Sequence, residues 1–103
     1  MSEPIFNYNC EWDPMKAKQN AKKHKVGFER AATVFLDSNA ITVYDKEHED
    51  IEERWITIGM DRTGNLIIVC HTFKQIDNET FQVRIISARK PTKKEIMHYK
   101  EPL

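Results

Sequence analysis

The stretch TFQVRIISARKPTKKEIMHYK, residues 80–100, decides the fold. Apolar and polar side chains alternate over residues 81–85, and this period of two is typical of a strand with one face on a core. Further on, Thr92 and Glu95 have the spacing of a capping box, in which a hydroxyl and a carboxylate each satisfy an unpaired backbone N–H. The stretch therefore predicts a strand that leads into a short C-terminal helix.

Three cations lie in this strand or directly after it: Arg84, Arg89 and Lys90. An arginine within a half-buried strand is costly unless its charge is used. The alternation points Arg84 away from the core, so we predict that these three side chains contact anions.

The N-terminal third predicts a short strand and a helix. The strand lies around residues 5–12, and Asp13 and Pro14 then supply the N-cap and first position of a helix that runs to about His24. Gly27 is expected to break this helix or cap its end. Along the helix, one polar stripe is predicted from Lys16, Asn20 and Lys23.

The next helix shows the clearest helical period in the chain. It is predicted over residues 28–36, with five side chains facing the core: Phe28, Ala31, Ala32, Phe35 and Leu36. Strands are then predicted at 40–44, 54–59 and 66–73, with turns at 61–65 and 74–79 and with Gly64 free to adopt a positive φ.

This order predicts an α+β fold. After a short N-terminal strand, two helices would pack on one face of a mostly antiparallel sheet, and a short C-terminal helix would close the chain. For the other face, the candidates are Trp55, His71, Arg84 and the basic C-terminal segment. The run 66–73 is apolar on both faces, so the direction of the His71 side chain is left open.

The composition is that of one small domain. The chain has 103 residues, 40% of them apolar and 31% charged, enough for one core. Residues 1–4 are expected to be a flexible arm. Because there is no apolar run of about 18 residues and no signal-peptide pattern, we expect a cytoplasmic protein without membrane contact. Cys10 and Cys70 are expected to be reduced thiols.

The net charge of zero conceals separated patches. One basic block contains Lys16, Lys18, Lys22, Lys23 and Lys25, another contains Arg84, Arg89, Lys90, Lys93 and Lys94, and an acidic run fills residues 45–53. The basic blocks either face RNA or an acidic partner or are simply solvated. His48 lies among acids without a second histidine at a suitable spacing, so neither a metal nor another cofactor is expected.

Several blocks of the sequence carry a family resemblance: CEWDPMKAKQNAKKHKVGFERA (10–31), TVYD (42–45), ERWITIG (53–59), VCHT (69–72) and RIISARK (84–90). In this order they resemble the BrnT family of type II toxin–antitoxin toxins. The resemblance implies a RelE-like α+β ribonuclease that stops translation by cutting RNA. It also implies a BrnA antitoxin as inhibitor, whose complex with the toxin binds the operon's promoter DNA.

RNA cleavage without a metal assigns roles to particular side chains. Guanidinium groups match phosphate oxygens, so we predict that Arg84 and Arg89 stabilise phosphate charge, with Arg54 as a further candidate. His71 is the predicted proton shuttle, and Glu53 is a second candidate base. RNA contacts, to mRNA either free or on the ribosome, are expected from Lys90, Lys16, Lys23 and Tyr99.

Each role has a structural alternative. His71 could equally be a hydrogen-bonded core histidine, Arg84 could pair with a carboxylate, and Arg54 and Glu53 could form an ion pair at a strand end. The alternative for the whole chain is a non-catalytic module that binds an acidic helical partner or DNA.

Overall fold

The computed structural model describes residues 7–48 and 52–101. The strands are β1 (Asn7–Glu11), β2 (Ile41–Tyr44), β3 (Trp55–Met60), β4 (Leu66–His71), β5 (Lys74–Gln75) and β6 (Thr80–Arg89). The helices are α1 (Pro14–His24), α2 (Phe28–Ala32) and α3 (Lys93–Lys100), and 3₁₀ helices cover Thr33–Leu36 and Lys46–His48. The predicted arm, residues 1–4, lies outside the described residues.

The strands form one mixed sheet in the order β1-β6-β4-β3-β2, and β5 also pairs with β6. The only parallel pair among the described strands is β1 with β6; the pairs β2–β3, β3–β4, β4–β6 and β5–β6 are antiparallel. This confirms the α+β class. The longest strand, β6, contacts three other strands and both N-terminal helices.

The core lies between the sheet and the helices α1 and α2. Its buried side chains are Val26, Phe28, Ala31, Val34, Ile67, Val69, Val83, Ile85 and Ala88. We call the side of the sheet that carries Ile67, Val69, Val83 and Ile85 the helical face, and the other side the opposite face. No helix among residues 7–48 and 52–101 is long and apolar enough to span a membrane.

A β-bulge resets the alternation in β6. Cys70 pairs with Ser87, whereas the next residue of β4, His71, pairs with Ile85. Ile86 is therefore an extra residue in β6, and the side chains on either side of it change phase. As a result Arg84 and Arg89, five residues apart, both lie on the opposite face.

The second helix is shorter than predicted. It becomes a 3₁₀ helix at Thr33, where three residues complete a turn instead of 3.6. The buried stripe therefore continues from Ala31 to Val34, which is 0% exposed, and Leu36 is 80% exposed. The prediction that Leu36 faces the core was wrong because it assumed one helical period throughout.

The first helix has its predicted bounds, but its end differs. Asp13 caps it by accepting a hydrogen bond from the Met15 N–H. The left-handed residue at its C-terminus is Lys25, with φ 60°, and Gly27 instead has φ −80° as the N-cap of α2. The capping box of α3 is present as predicted, with Thr92 and Glu95 bonded reciprocally.

Asn20 fastens α1 to the sheet. Its side-chain Nδ2 donates to the Ala88 carbonyl at 2.8 Å and to the Val26 carbonyl at 3.1 Å, and its Oδ1 accepts from the Ala88 N–H at 3.1 Å. Because β1 pairs with β6 only as far as Arg84, this amide takes the place of a strand neighbour beyond that point. Asn20, which was predicted to share a polar stripe with Lys16 and Lys23, is therefore buried, at 7% exposed, whereas the two lysines are exposed.

Replacing Asn20 with Ala should lower the free energy of unfolding by about 2–4 kcal/mol, because the buried backbone groups of Ala88 lose their partners. Asn20→Asp should be at least as damaging, since a carboxylate cannot donate to the two carbonyls. Urea unfolding of both variants measures this. The neighbouring exposed substitution Gln19→Ala is the control and should change stability by less than about 0.5 kcal/mol; equal values for all three would refute the role given to Asn20.

Candidate functional site

Two arginines of the opposite face meet at one carboxylate, Glu52. Arg84, in the middle of β6, bonds through Nη2 to Glu52 Oε2, and its side chain is 45% exposed. Arg54, directly before β3, donates to Glu52 Oε1 from Nε and Nη2, each at 3.4 Å. We call these three residues the Glu52 cluster. The Arg54 bonds are long, so this carboxylate is held loosely from that side.

Two members of the cluster, Glu52 and Arg84, line a hollow of about 430 Å³, and Arg54 reaches it only through its bonds to Glu52. Its lining combines three carboxylates, one ammonium group, one guanidinium group and three neutral side chains: Glu11, Glu52, Glu53, Lys74, Arg84, Thr72, Phe73 and Gln82. Glu53 is exposed at this hollow. The structure thus brings together three of the predicted site residues, Arg84, Arg54 and Glu53.

Glu52 was missed by the sequence analysis, which named it only as part of the acidic run 45–53. The available signal was its position two residues before Arg54, at the end of the acidic run. Nothing local shows that the same carboxylate also reaches Arg84, 32 residues later.

Cys70 lies on the same face as the Glu52 cluster, but its thiol is a weak nucleophile. Burial raises the pKa of its thiol, and the nearby Arg54 only partly opposes this effect. A thiol with a raised pKa is a poor nucleophile at neutral pH. Both Cys10 and Cys70 are free, as expected.

Arg89 lies further along β6 and has its own partner. It forms two bonds with the Glu95 carboxylate, each 2.9 Å long, and a third to the Lys90 carbonyl. Arg89 lies opposite Ile68 on β4, and Arg84 lies opposite Thr72. At about 3.3 Å per residue of strand, the two arginines are therefore about 13 Å apart along the sheet. Arg89 therefore fixes the start of α3, separately from the Glu52 cluster.

Tyr99 anchors the other end of α3. Its hydroxyl donates to Asp37 Oδ2 at 2.6 Å, and the Met60 N–H donates to the same oxygen. The bond to Asp37 raises the pKa of Tyr99 to about 12. The cavity that Tyr99 lines contains Asn39, Ile41 and Lys100, so the structure places it away from the residues that line the Glu52 hollow.

A basic cleft of about 690 Å³ lies beside α3. Its cations are Lys25, Arg30, Lys90 and Lys100, and among the described residues no acid lines it. Arg30 is held by Asp61 at 2.8 Å. Burial alone would raise the pKa of Asp61, but hydrogen bonds from Thr63, Asn65 and Arg30 lower it to about 2. Lys16 and Lys23 are exposed on α1.

His71 lies on the helical face, opposite Ile85 and Trp55. It is 0% exposed, and burial lowers its pKa. Nε2 lies 2.7 Å from the Thr57 hydroxyl and Nδ1 lies 2.8 Å from the Thr72 carbonyl. His71 is therefore the hydrogen-bonded core histidine that the sequence analysis gave as its structural alternative. The placement of Trp55 and His71 on the face away from the helices was wrong.

Beside His71 is an aromatic cavity of about 320 Å³, lined by Tyr8, Phe35, Ala40, Thr42, Trp55, Thr57, His71 and Phe73. Phe35 meets the His71 ring edge-on with centroids 4.9 Å apart. Phe73 also lines the Glu52 hollow, so the two cavities share a wall.

The sequence predicts no metal site around His48. Within the described ranges, no group of three or more His, Cys, Asp and Glu side chains is placed to hold a metal ion. The side chain of His48 and residues 49–51 lie outside the described part of the chain.

Comparison with known proteins identifies the class as a ribonuclease toxin of a type II toxin–antitoxin system. The family described as "Ribonuclease toxin, BrnT, of type II toxin-antitoxin system" matches residues 12–95. The chain belongs to this BrnT family, whose class implies an RNA substrate and an antitoxin partner.

A solved structure shows the same fold. The chain is similar to the crystal structure of the Brucella abortus ribonuclease toxin BrnT, with 22% sequence identity and a TM-score of 0.57, over 84% of this chain and 99% of that chain. A search of curated proteins gives no significant match.

The ion pair between Arg89 and Glu95 at the start of α3 should stabilise the fold less as the pH falls. Hydrogen bonds from Arg89 lower the pKa of Glu95 to about 2 from 4.5, against burial, which raises it. A depressed carboxyl pKa adds stability above the unfolded value, and this stability is lost as the pH falls through the folded value. Between about pH 5 and 2, wild type should lose about 1 kcal/mol more than Glu95→Gln, since about a third of this side chain is solvent-exposed and screened. Parallel curves of unfolding free energy against pH would contradict this.

Proposed function

We propose that this chain is a metal-independent endoribonuclease that inhibits translation and is neutralised by a BrnA-like antitoxin. The observation that carries the proposal is the Glu52 cluster, where two guanidinium groups converge on one carboxylate beside an open hollow. A phosphate group can replace a carboxylate between two guanidinium groups, because both present oxygens that accept paired N–H donors.

Arg84 and Arg54 would bind the scissile phosphodiester in this position. The 2′ oxygen attacks phosphorus, the five-coordinate intermediate carries an added negative charge, and the two arginines stabilise it. Glu53, exposed at the hollow, takes the proton of the 2′ hydroxyl. The leaving 5′ oxygen takes a proton from solvent, so the products are a 2′,3′-cyclic phosphate and a 5′ hydroxyl.

Glu52 holds the two arginines in place when no RNA is bound. The entering phosphate competes for the same donors, so the arginines are ordered in advance and less side-chain entropy is lost on binding. The buried His71 is left outside the proton transfers in this scheme, because both of its nitrogens already have partners.

The remaining RNA contacts are assigned to cations away from the hollow. Lys90 with the rest of the basic cleft would hold backbone phosphates on one side, and Lys16 and Lys23 would add charge from α1. Arg89 and Tyr99 would act by positioning α3. The substrate is mRNA, free or on the ribosome, in the cytoplasm, and operator DNA is contacted only through the antitoxin complex.

A second candidate, a non-catalytic module that binds an acidic helix or DNA, is favoured by one observation. Arg84 and Arg89 both bind glutamates of this chain, so they could bind those of a partner in the same way. Purified protein that binds such a partner but leaves RNA intact would select this alternative.

Arg84→Ala should slow RNA cleavage by at least about 100-fold, as expected when a donor to the developing charge is removed. Cells that express it without antitoxin should keep growing, whereas wild type should stop growth. Cleavage by wild type should persist in a chelator and yield 2′,3′-cyclic phosphate ends. The measurements are RNA end mapping and growth after induction.

Arg62→Ala is the matched control, because Arg62 is an exposed arginine in the β3–β4 turn. It should cleave RNA like wild type. The proposal fails if Arg84→Ala, shown to be folded by urea unfolding, cleaves RNA as fast as Arg62→Ala.

A further inference from the structure

We propose that the aromatic cavity beside His71 binds one nucleobase of the RNA and selects a base that carries an exocyclic amino group. This deepens the proposed function, on which it rests, by assigning a specificity site. The lining is rich in rings, with Tyr8, Phe35, Trp55 and Phe73. Such side chains bind unpaired bases by stacking and edge contacts.

The position of the cavity supports a nucleotide as its occupant. Phe73 lines both this cavity and the Glu52 hollow, so the two open spaces lie on either side of one ring. A nucleotide whose phosphate lies on the arginines could pass around Phe73 and place its base between Trp55 and Tyr8. An apolar side chain of a protein partner would gain nothing from the neighbouring arginines.

In the hydrogen bonds at the polar edge of the cavity, which joins His71, Thr57 and Thr42, each donor and acceptor can be assigned. The Thr72 carbonyl can only accept, so His71 donates from Nδ1. The pKa of this buried imidazole is lowered, so the ring is neutral and Nε2 accepts from the Thr57 hydroxyl. The Thr57 oxygen lies 2.7 Å from the Thr42 hydroxyl, which must then be the donor in that pair.

This chain of bonds leaves the Thr42 oxygen with acceptor capacity only. Thr42 is exposed, whereas Thr57 and His71 are buried, so Thr42 is the polar group that a ligand reaches first. An acceptor at this position favours an N–H₂ group. Adenine, cytosine and guanine each present one on the Watson–Crick edge, whereas uracil has no amino group and has carbonyl oxygens on both sides of its single N–H.

The test uses adenosine monophosphate and purine riboside monophosphate, which differ by the amino group alone. Binding is followed by NMR at the Trp55 indole N–H, with Trp12, packed on Phe28, as the internal reference. Adenosine monophosphate should shift the Trp55 signal and bind at least about tenfold more tightly than purine riboside monophosphate. Equal affinities, or shifts at Trp12 alone, would overturn the proposal.

Thr42→Val should abolish this preference, and Thr42→Ser, which keeps the hydroxyl, should restore it. Val43→Thr, an exposed neighbour on the other face of β2, is the control and should keep the wild-type preference. In RNA end mapping, Thr42→Val should lose selection of an amino-bearing base at one position next to the cut.

The two proposals fail separately. If the protein cleaves RNA with an unchanged base preference in Thr42→Val, the nucleobase site is refuted and the ribonuclease stands. If it cleaves no RNA but Trp55 discriminates the two nucleotides, the cavity assignment stands and the catalytic proposal fails. Shifts of Trp55 with antitoxin but with neither nucleotide would refute the nucleobase site.

Discussion

The bond between the Asn20 side chain and the backbone of Ala88 is the constraint on which the structure depends. It closes the part of β6 that β1 does not reach and ties the first helix to the longest strand. Because it is buried, both partners must be satisfied for the fold to be stable. With this edge occupied, β6 pairs on its other side with β4, and the bulge in that pairing sets the phase of its side chains.

As a consequence, the two faces of the sheet carry different kinds of side chain. The bulge at Ile86 places Arg84 and Arg89 on one face, each with its own glutamate, whereas His71 lies among rings on the other face. Charge therefore gathers on the side that the N-terminal helices leave free, and aromatic surface gathers next to the core. The two meet at Phe73.

Local rules predicted the features that depend on neighbouring residues: the first helix with its Asp13 cap, the capping box of the last helix and the outward direction of Arg84. They failed where the partner lies far along the chain. Asn20 looked like any residue of a polar stripe because its partner is 68 residues away. The bulge and the bridging role of Glu52 likewise depend on strand pairing, and the family resemblance supplied the function that local patterns could not.

The central claim is that Arg84 and Arg54 hold the scissile phosphate. A crystal structure with a short RNA in which a 2′-methoxy group blocks attack tests it most directly. The account predicts one phosphate between the two guanidinium groups, with Glu52 displaced from at least one of them. A complex in which the backbone phosphates occupy only the basic cleft at Lys25 and Lys90, with Glu52 still bound to both arginines, would contradict it.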